Sequence, residues 1–229
     1  MFTAESNELH LCYIAPDMPS AIIIHGYATG LGIPLLRKPF GNHAGFVALN
    51  EQVTSGEILP FRWSIDRSLS VWQSINPWTY LQLYRDEEKL VEDQKTQSNL
   101  ANFFHQSPAK IIIAHSLGCR LLLGTINNFE LPKHIKRIIF LQADVYDRTV
   151  ISRDDILVRL EEGSLVIENY HCFWDPSLFT SSMIHRNLRA GLTGWEQPGV
   201  QNIFVPLLKP INLHTSHLRD TKFCKNLLT

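Results

Sequence analysis

The sequence lacks several features that would mark a membrane or nucleic-acid-binding protein. It contains no continuous apolar run of about 18 residues, the length needed for a membrane-spanning helix. Its 22 acidic residues nearly balance its 21 basic residues, so charge gives no reason to expect a nucleic acid or an acidic membrane surface as a partner. Repeats and low-complexity segments are missing too. At 229 residues the chain can bury a substantial core, and we expect a globular protein.

Cysteine is also scarce, with Cys12, Cys119, Cys172 and Cys224 far apart in the chain and no C-x-x-C pair. This spacing does not suit a disulfide framework or a zinc site, and it favours reduced thiols in the core. Residues 1–17 carry an early acid and no basic region before an apolar block, which argues against a secretory signal. We therefore predict a cytoplasmic protein without a metal or other cofactor.

Short apolar runs alternate with helical patterns along the chain, which predicts βαβ units. The predicted strands are residues 9–14, 20–26, 58–65, 109–116, 135–144, 164–172 and 201–208. The predicted helices are residues 86–106, 117–128 and 219–229, with a short amphipathic helix within 152–164. Several strands are apolar throughout, as expected when both faces of a sheet are covered. We predict one α/β domain over residues 1–229, with a mostly parallel central sheet and helices on both faces.

The stretch "KIIIAHSLGCR" (residues 110–120) places Ser116 between an apolar strand and a helix. A catalytic serine on a strand-to-helix turn needs small residues two positions before and after it, because other backbone segments pass close by. Ala114 and Gly118 meet that need. Serine is also a good helix N-cap, so the pattern alone leaves both a nucleophile and an ordinary cap open.

A second strand, in "AIIIHGYATG" (residues 21–30), ends in His25 and Gly26. If Gly26 lets the chain turn, the backbone N–H groups of Tyr27 and Leu117 can form an oxyanion hole. The other interpretation is a glycine that simply ends a strand. For His25 we favour a structural role, its ring supporting this loop, over a role as a base.

Two histidines and two aspartates could complete a catalytic triad with Ser116. His214 lies in a loop before the last helix, where a general base could reach the serine, so we favour it over His217. Asp175 and Asp144 each follow a predicted strand. We favour Asp175, which would orient the histidine, although an aspartate before a proline can also be a helix N-cap.

These segments resemble the α/β-hydrolase superfamily, and they stand in its order over almost the whole chain: "IIIHGY", "IIIAHSLGCRLLL", "FWDPSL" and "HTSHLRDTKF". The last segment is similar to the superfamily's closing pattern, which implies that His214 is the catalytic histidine. A closer resemblance is to a poorly characterised bacterial group with H-G-Y, Trp-Ser ("FRWS"), A-H-S-x-G and Ala-Asp ("QADV") motifs. The chain departs from the pattern at Ala114 and Leu213, where glycine is usual.

The resemblance implies an α/β-hydrolase fold and a serine hydrolase that cleaves a carboxylic ester or thioester through an acyl-enzyme on Ser116. The alternative is a non-catalytic relative that binds a ligand or a partner. Only the short helix within 152–164 separates Asp144 from the next strand, so we expect little or no lid. The oligomeric state is left open.

The aromatic-rich segment 66–86 could form one wall of a substrate pocket, or it could simply cover the edge of the sheet. The candidate pocket residues are Trp72 and Trp78 from this segment, together with His25 and His115.

Overall fold

A six-stranded sheet, parallel throughout, forms the centre of the fold. The structure, a computed structural model, describes residues 19–27, 31–32, 45–64, 67–206 and 213–229. The predicted strand 9–14 lies outside these residues. The sheet has the order β3-β1-β5-β6-β7-β8, with strands β1 (Ala21–Ile24), β3 (Ile58–Phe61), β5 (Ile111–His115), β6 (Arg137–Leu141), β7 (Val166–His171) and β8 (Val200–Phe204). Two short strands, β2 (Leu31–Gly32) and β4 (Arg67–Ser68), pair separately.

Helices connect the strands, as the alternating pattern predicts. They are α1 (Asn50–Ser55), α2 (Val71–Ile75), α3 (Pro77–Glu92), α4 (Gln94–Gln106), α5 (Leu117–Asn128), α6 (Asp154–Glu161), α7 (Pro176–His185), α8 (Ala190–Thr193) and α9 (Thr221–Asn226). The described residues also include 3₁₀ turns at Val47–Leu49, Leu213–Thr215 and His217–Arg219. Within the described part of the chain, no helix has the length and apolar character that crossing a membrane requires.

The central strands are apolar on both faces because each face packs against helices. In β1, Ile22 and Ile24 join the core cluster that includes residues of α3 to α6, whereas Ala21 and Ile23 join the cluster that includes α9. In the neighbouring strands too, successive side chains alternate between these two core clusters. This explains the continuous apolar runs and confirms the prediction of a sheet covered on both sides.

The prediction of one helix over residues 86–106 is wrong. The structure has two helices, and the first begins earlier, at Pro77. The break lies at Asp93, whose backbone is extended (ψ 126°) and whose carboxylate accepts a hydrogen bond from the backbone N–H of Thr96. Asp93 thus caps α4 rather than continuing α3, a role that aspartate fills well.

The other predicted elements differ from the structure mainly at their ends. Helix α5 spans the predicted residues, and α6 lies within 152–164. The predicted final helix is shorter than expected, because Asp220 caps it through the N–H of Phe223 and a separate 3₁₀ turn precedes it. Strand β8 ends at Phe204, and the end of the predicted run 201–208 lies outside the described residues.

Candidate active site

Ser116 lies on a strained turn between β5 and α5. Its φ of 54° and ψ of −122° fall in a region that non-glycine residues rarely adopt. Although it occupies the N-cap position of α5, its side chain makes no capping hydrogen bond. Of the two interpretations that the sequence leaves open, the ordinary cap is thus not supported, because Ser116 stands at the N-cap position without a side-chain capping bond. The hydroxyl is left available for another role.

Backbone hydrogen bonds hold this turn in place. The Ser116 N–H donates to the carbonyl of Leu141 at the end of β6, and the Ser116 carbonyl accepts from Cys119 and Asp144. These bonds, at 3.0 to 3.2 Å, tie the turn to the neighbouring strand and to the first turn of α5. Strain of this kind persists only where the surroundings fix it on several sides.

Two glycines allow the backbone to pass close to Ser116. A Cβ at Gly26 would lie 2.8 Å from the Cβ of Ser116, and a Cβ at Gly118 would lie 2.3 Å from the carbonyl oxygen of His25. Both distances are too short for any side chain. The loop after β1 therefore runs directly beside the turn, and Leu117, as the first residue of α5, presents an N–H that has no partner within the helix.

His25 is buried and supports the loop after β1. Its ring stacks on that of Trp63 at 5.0 Å, and its Nε2 accepts the backbone N–H of Trp63. Its Nδ1–H donates to the carbonyl of Gly26, and the Trp63 indole donates to the His25 carbonyl. These contacts agree with the structural role that we favoured for His25.

Tyr27 lies in this loop, directly after Gly26, and its side chain contacts the aromatic-rich segment. Its hydroxyl donates to the carbonyl of Tyr80 at 2.8 Å, and its ring packs edge-on against Tyr84. Burial, followed by the charge of Glu87, raises the pKa of Tyr27 above its ordinary value. The hydroxyl is therefore neutral, and it fixes the segment against the loop.

Asp175 and His214 form a close pair. The Nδ1 of His214 lies 2.6 Å from Oδ2 of Asp175. The other carboxylate oxygen of Asp175 accepts the N–H groups of Ser177 and Leu178, so the residue is both the N-cap of α7 and the partner of His214. Burial alone would raise the pKa of Asp175, but His214 and these hydrogen bonds outweigh it and hold that pKa below its usual range. Asp175 is therefore ionised at neutral pH.

The ring of His214 lies near the serine turn. Its centroid is 4.7 Å from that of His115, the residue that precedes Ser116. Because Asp175 occupies Nδ1, Nε2 is the remaining nitrogen of the ring, and the side chain keeps 18% of its surface exposed. The structure thus brings His214, Asp175 and the Ser116 turn to one edge of the sheet, at the carboxyl ends of β5 and β7.

Asp144 is bound elsewhere, in a buried polar network. It accepts hydrogen bonds from Tyr84 and Ser181, both at 2.6 Å, and pairs with Arg189 at 3.1 Å and with Arg120 at 3.7 Å. These partners come from α3, α5, α7 and the start of α8, so Asp144 joins the helices around the site. It does not pair with His214.

His217 is buried. Its Nδ1 accepts a hydrogen bond from the side-chain amide of Gln142, which itself has a positive φ of 42°. Burial lowers the pKa of His217. It is therefore neutral, and its Nδ1 is already occupied.

The residues that bind Asp144 were not predicted from the sequence. One of them could have been noticed there: Arg120 is a charged residue inside the apolar run "GCRLLL". Buried arginines are rare unless a carboxylate accompanies them, and Arg120 pairs with Glu88 as well as with Asp144. An arginine in such a run therefore indicates a buried acid nearby, but the sequence does not say which acid.

The described part of the aromatic-rich segment, residues 67–86, contributes buried side chains to this region. Tyr84 contacts Asp144, and Leu69 and Leu83 pack against Tyr27. Trp72 and Trp78 lie on the surface, with 79% and 73% of their area exposed. A cavity of about 320 Å³ in this segment is lined by Ser68, Leu69, Gln73, Thr79, Gln82, Leu83 and Asp86.

The cysteines of the described segments are buried and form no disulfide: Cys119, Cys172 and Cys224. Cys12 lies outside those segments. Over the same residues, no cluster of histidine, cysteine, aspartate and glutamate side chains is arranged to hold a metal ion.

The sequence matches no model of a known protein family, and a comparison with curated proteins finds no relative.

Proposed function

We propose that this protein is a serine hydrolase of the α/β-hydrolase fold that cleaves a carboxylic ester or thioester. One observation carries the proposal. Ser116, strained and without a capping bond, stands at the β5–α5 turn on the same edge of the sheet as the 2.6 Å pair of His214 and Asp175. A nucleophile on a strained strand-to-helix turn and a histidine oriented by a buried carboxylate are the parts of an acyl-transfer site.

In the proposed reaction, Ser116 Oγ attacks the carbonyl carbon of the substrate while Nε2 of His214 takes the hydroxyl proton. Asp175 fixes the tautomer of His214 through Nδ1–H and stabilises the imidazolium that forms. The backbone N–H groups of Tyr27 and Leu117 bind the oxyanion of the tetrahedral intermediate. His214 then protonates the departing alcohol or thiol, which leaves the acyl group on Ser116.

Water completes the cycle by the same route. His214 accepts a proton from a water molecule, the resulting hydroxide attacks the acyl carbon, and Ser116 leaves as its hydroxyl after His214 returns the proton. The products are a carboxylic acid and the alcohol or thiol of the substrate.

Short acyl groups are the proposed substrates. Between β6 and β7 the one helix is the short α6, and this supports an open site with little or no lid. Leu69 and Leu83 of segment 66–86 pack against Tyr27, whose backbone N–H is part of the proposed oxyanion hole, and this supports a place for the segment beside the bound substrate.

A panel of p-nitrophenyl esters of increasing chain length, with thioesters and anilides beside them, tests the proposal. We expect saturable turnover of short esters or thioesters that Ser116→Ala abolishes while its thermal unfolding midpoint stays unchanged. Turnover that survives Ser116→Ala contradicts the proposal. A folded wild-type protein without turnover of any of these substrates favours a protein that only binds a ligand.

The same panel examines the two surface tryptophans. If Trp72 or Trp78 helps to form the pocket, its replacement by alanine changes the chain-length preference. If the chain-length preference of both variants is unchanged, neither tryptophan lines the pocket, and only the buried side chains of segment 66–86 remain as candidates for its wall. Folding should not change, because both side chains are mostly exposed.

A further inference from the structure

His115 lies between the nucleophile turn and the histidine of the proposed triad. It is the last residue of β5, directly before Ser116, and its side chain is 4% exposed. Its Nε2 is 3.0 Å from the backbone carbonyl oxygen of His214, and the two rings are 4.7 Å apart. His115 thus contacts both the ring and the backbone of His214 from the strand that carries Ser116.

The contact fixes the protonation of His115. A carbonyl oxygen only accepts hydrogen bonds, so Nε2 of His115 must carry the proton and donate it. Burial, followed by the nearby charge of His214, lowers the pKa of His115 to about 3. The ring is therefore a neutral donor throughout the pH range in which such an enzyme works, and it adds no positive charge beside His214.

His214 is held at two different points. Asp175 binds the ring at Nδ1, and His115 binds the carbonyl of the 3₁₀ turn Leu213–Thr215 that carries the ring. The bond to Asp175 alone leaves the ring free to move together with its backbone. The second bond fixes that backbone to β5, the strand that ends at Ser116.

We propose that His115 is a positioning residue, which holds the backbone of His214 at the distance from Ser116 that proton transfer requires. This inference rests on the proposed function, since it assigns His214 the role of general base. An apolar residue of the same size would fill the space but would leave the His214 carbonyl without its donor. The bond, and not only the packing, is therefore the feature to test.

Two variants separate the hydrogen bond from the packing. His115→Phe keeps a ring without a donor, whereas His115→Gln keeps a neutral N–H at a similar reach. We expect kcat of His115→Phe on the best ester to fall about 10- to 100-fold, the range for loss of one hydrogen bond and misplacement of a catalytic group. KM should change little, and His115→Gln should recover kcat to within about threefold.

Wild-type activity in His115→Phe, or an equal loss of kcat in both variants, overturns the proposal. If His115→Phe does not fold, a measurement on the wild-type protein decides. NMR of the ¹⁵N-labelled imidazoles should show His115 neutral at pH 5, with its proton on Nε2. A His115 that is protonated at that pH, or that carries its proton on Nδ1, also overturns the proposal. A wild-type protein without hydrolytic activity refutes the proposed function instead, and the NMR result still reports whether His115 holds the His214 turn.

Discussion

Replacing Asp144 by asparagine separates a structural carboxylate from a catalytic one. Asp144 is 2% exposed and pairs with Arg189 and Arg120. Asparagine keeps the shape of the side chain and removes its charge. Two largely buried guanidinium groups then lose one of their counter-charges, while Tyr84 and Ser181 lose a charged acceptor at 2.6 Å.

We expect Asp144→Asn to lower the free energy of unfolding substantially. Removing one partner from a buried ion pair typically destabilises a protein by about 3–5 kcal/mol, because the remaining charge stays buried. Asparagine can still accept a hydrogen bond from Ser181, so we expect the lower end, about 3 kcal/mol. In a chain of this length that corresponds to a melting temperature lower by about 6–12 °C.

Urea unfolding followed by circular dichroism measures the change, with Asp155→Asn as the matched control. Asp155 pairs with Arg153 at 2.7 Å, but its side chain is 42% exposed, and exposed pairs contribute about 0–1 kcal/mol. We expect the urea midpoint to fall clearly for Asp144→Asn and only slightly for Asp155→Asn, with similar m-values.

Ester hydrolysis by the same variant tests the assignment of the acid. At a temperature where Asp144→Asn is folded, we expect kcat to stay within about threefold of wild type, because Asp144 does not contact His214. Destabilisation no greater than that of Asp155→Asn refutes the reasoning about the buried network. A loss of kcat comparable to that of Ser116→Ala refutes the choice of Asp175 over Asp144.

Three further changes have defined expected results. Asp175→Asn should lower kcat about 10³- to 10⁴-fold with a smaller loss of stability than Asp144→Asn, because asparagine still caps a helix and His214, unlike an arginine, can stay neutral; a kcat within tenfold of wild type counts against the triad. Gly118→Ala should destabilise the protein by about 1–3 kcal/mol and lower kcat, since its Cβ would meet the backbone carbonyl of His25. Gly124→Ala in the same helix meets a side-chain amide, that of Gln97, and not backbone, so it should destabilise the protein less, and equal unfolding midpoints for the two variants would contradict this explanation. Burial, followed by the charge of Asp144, raises the pKa of Tyr84, so the unfolded state ionises first and wild-type stability falls as pH rises above about 10. The difference in unfolding free energy between wild type and Tyr84→Phe should therefore shrink from about pH 9 to about pH 11. A difference that stays constant over this range would contradict a raised pKa of Tyr84 in the folded protein.

The strands could be predicted because a strand that is buried on both faces has an uninterrupted apolar sequence. The isoleucines of β1 and β5 form continuous apolar runs, and their two faces join separate core clusters. The break at Asp93 left a weaker signal. An aspartate at the end of an acidic, helix-forming stretch looks like part of one helix, and only the extended backbone at that residue reveals a cap.

The geometry of the candidate site could be predicted only in part, because it depends on how distant segments pack. Ser116 could be suggested from its small neighbours, but its strained backbone and missing cap bond are properties of the folded chain. Asp144 and Asp175 both follow strands in the sequence, and their different partners depend on how α7 and the His214 turn pack. The contact of His115 with His214 joins residues that are far apart in the chain, so no local pattern predicts it.

Labelling with a fluorophosphonate probe tests the central claim most directly, because the probe reacts with an activated serine and requires no knowledge of the substrate. Mass spectrometry of the digested protein should find a single modified residue, Ser116. Ser116→Ala should remove the label, and His214→Ala should slow its formation strongly. Folded wild-type protein that stays unlabelled, or a label on another residue that persists in Ser116→Ala, would contradict the account.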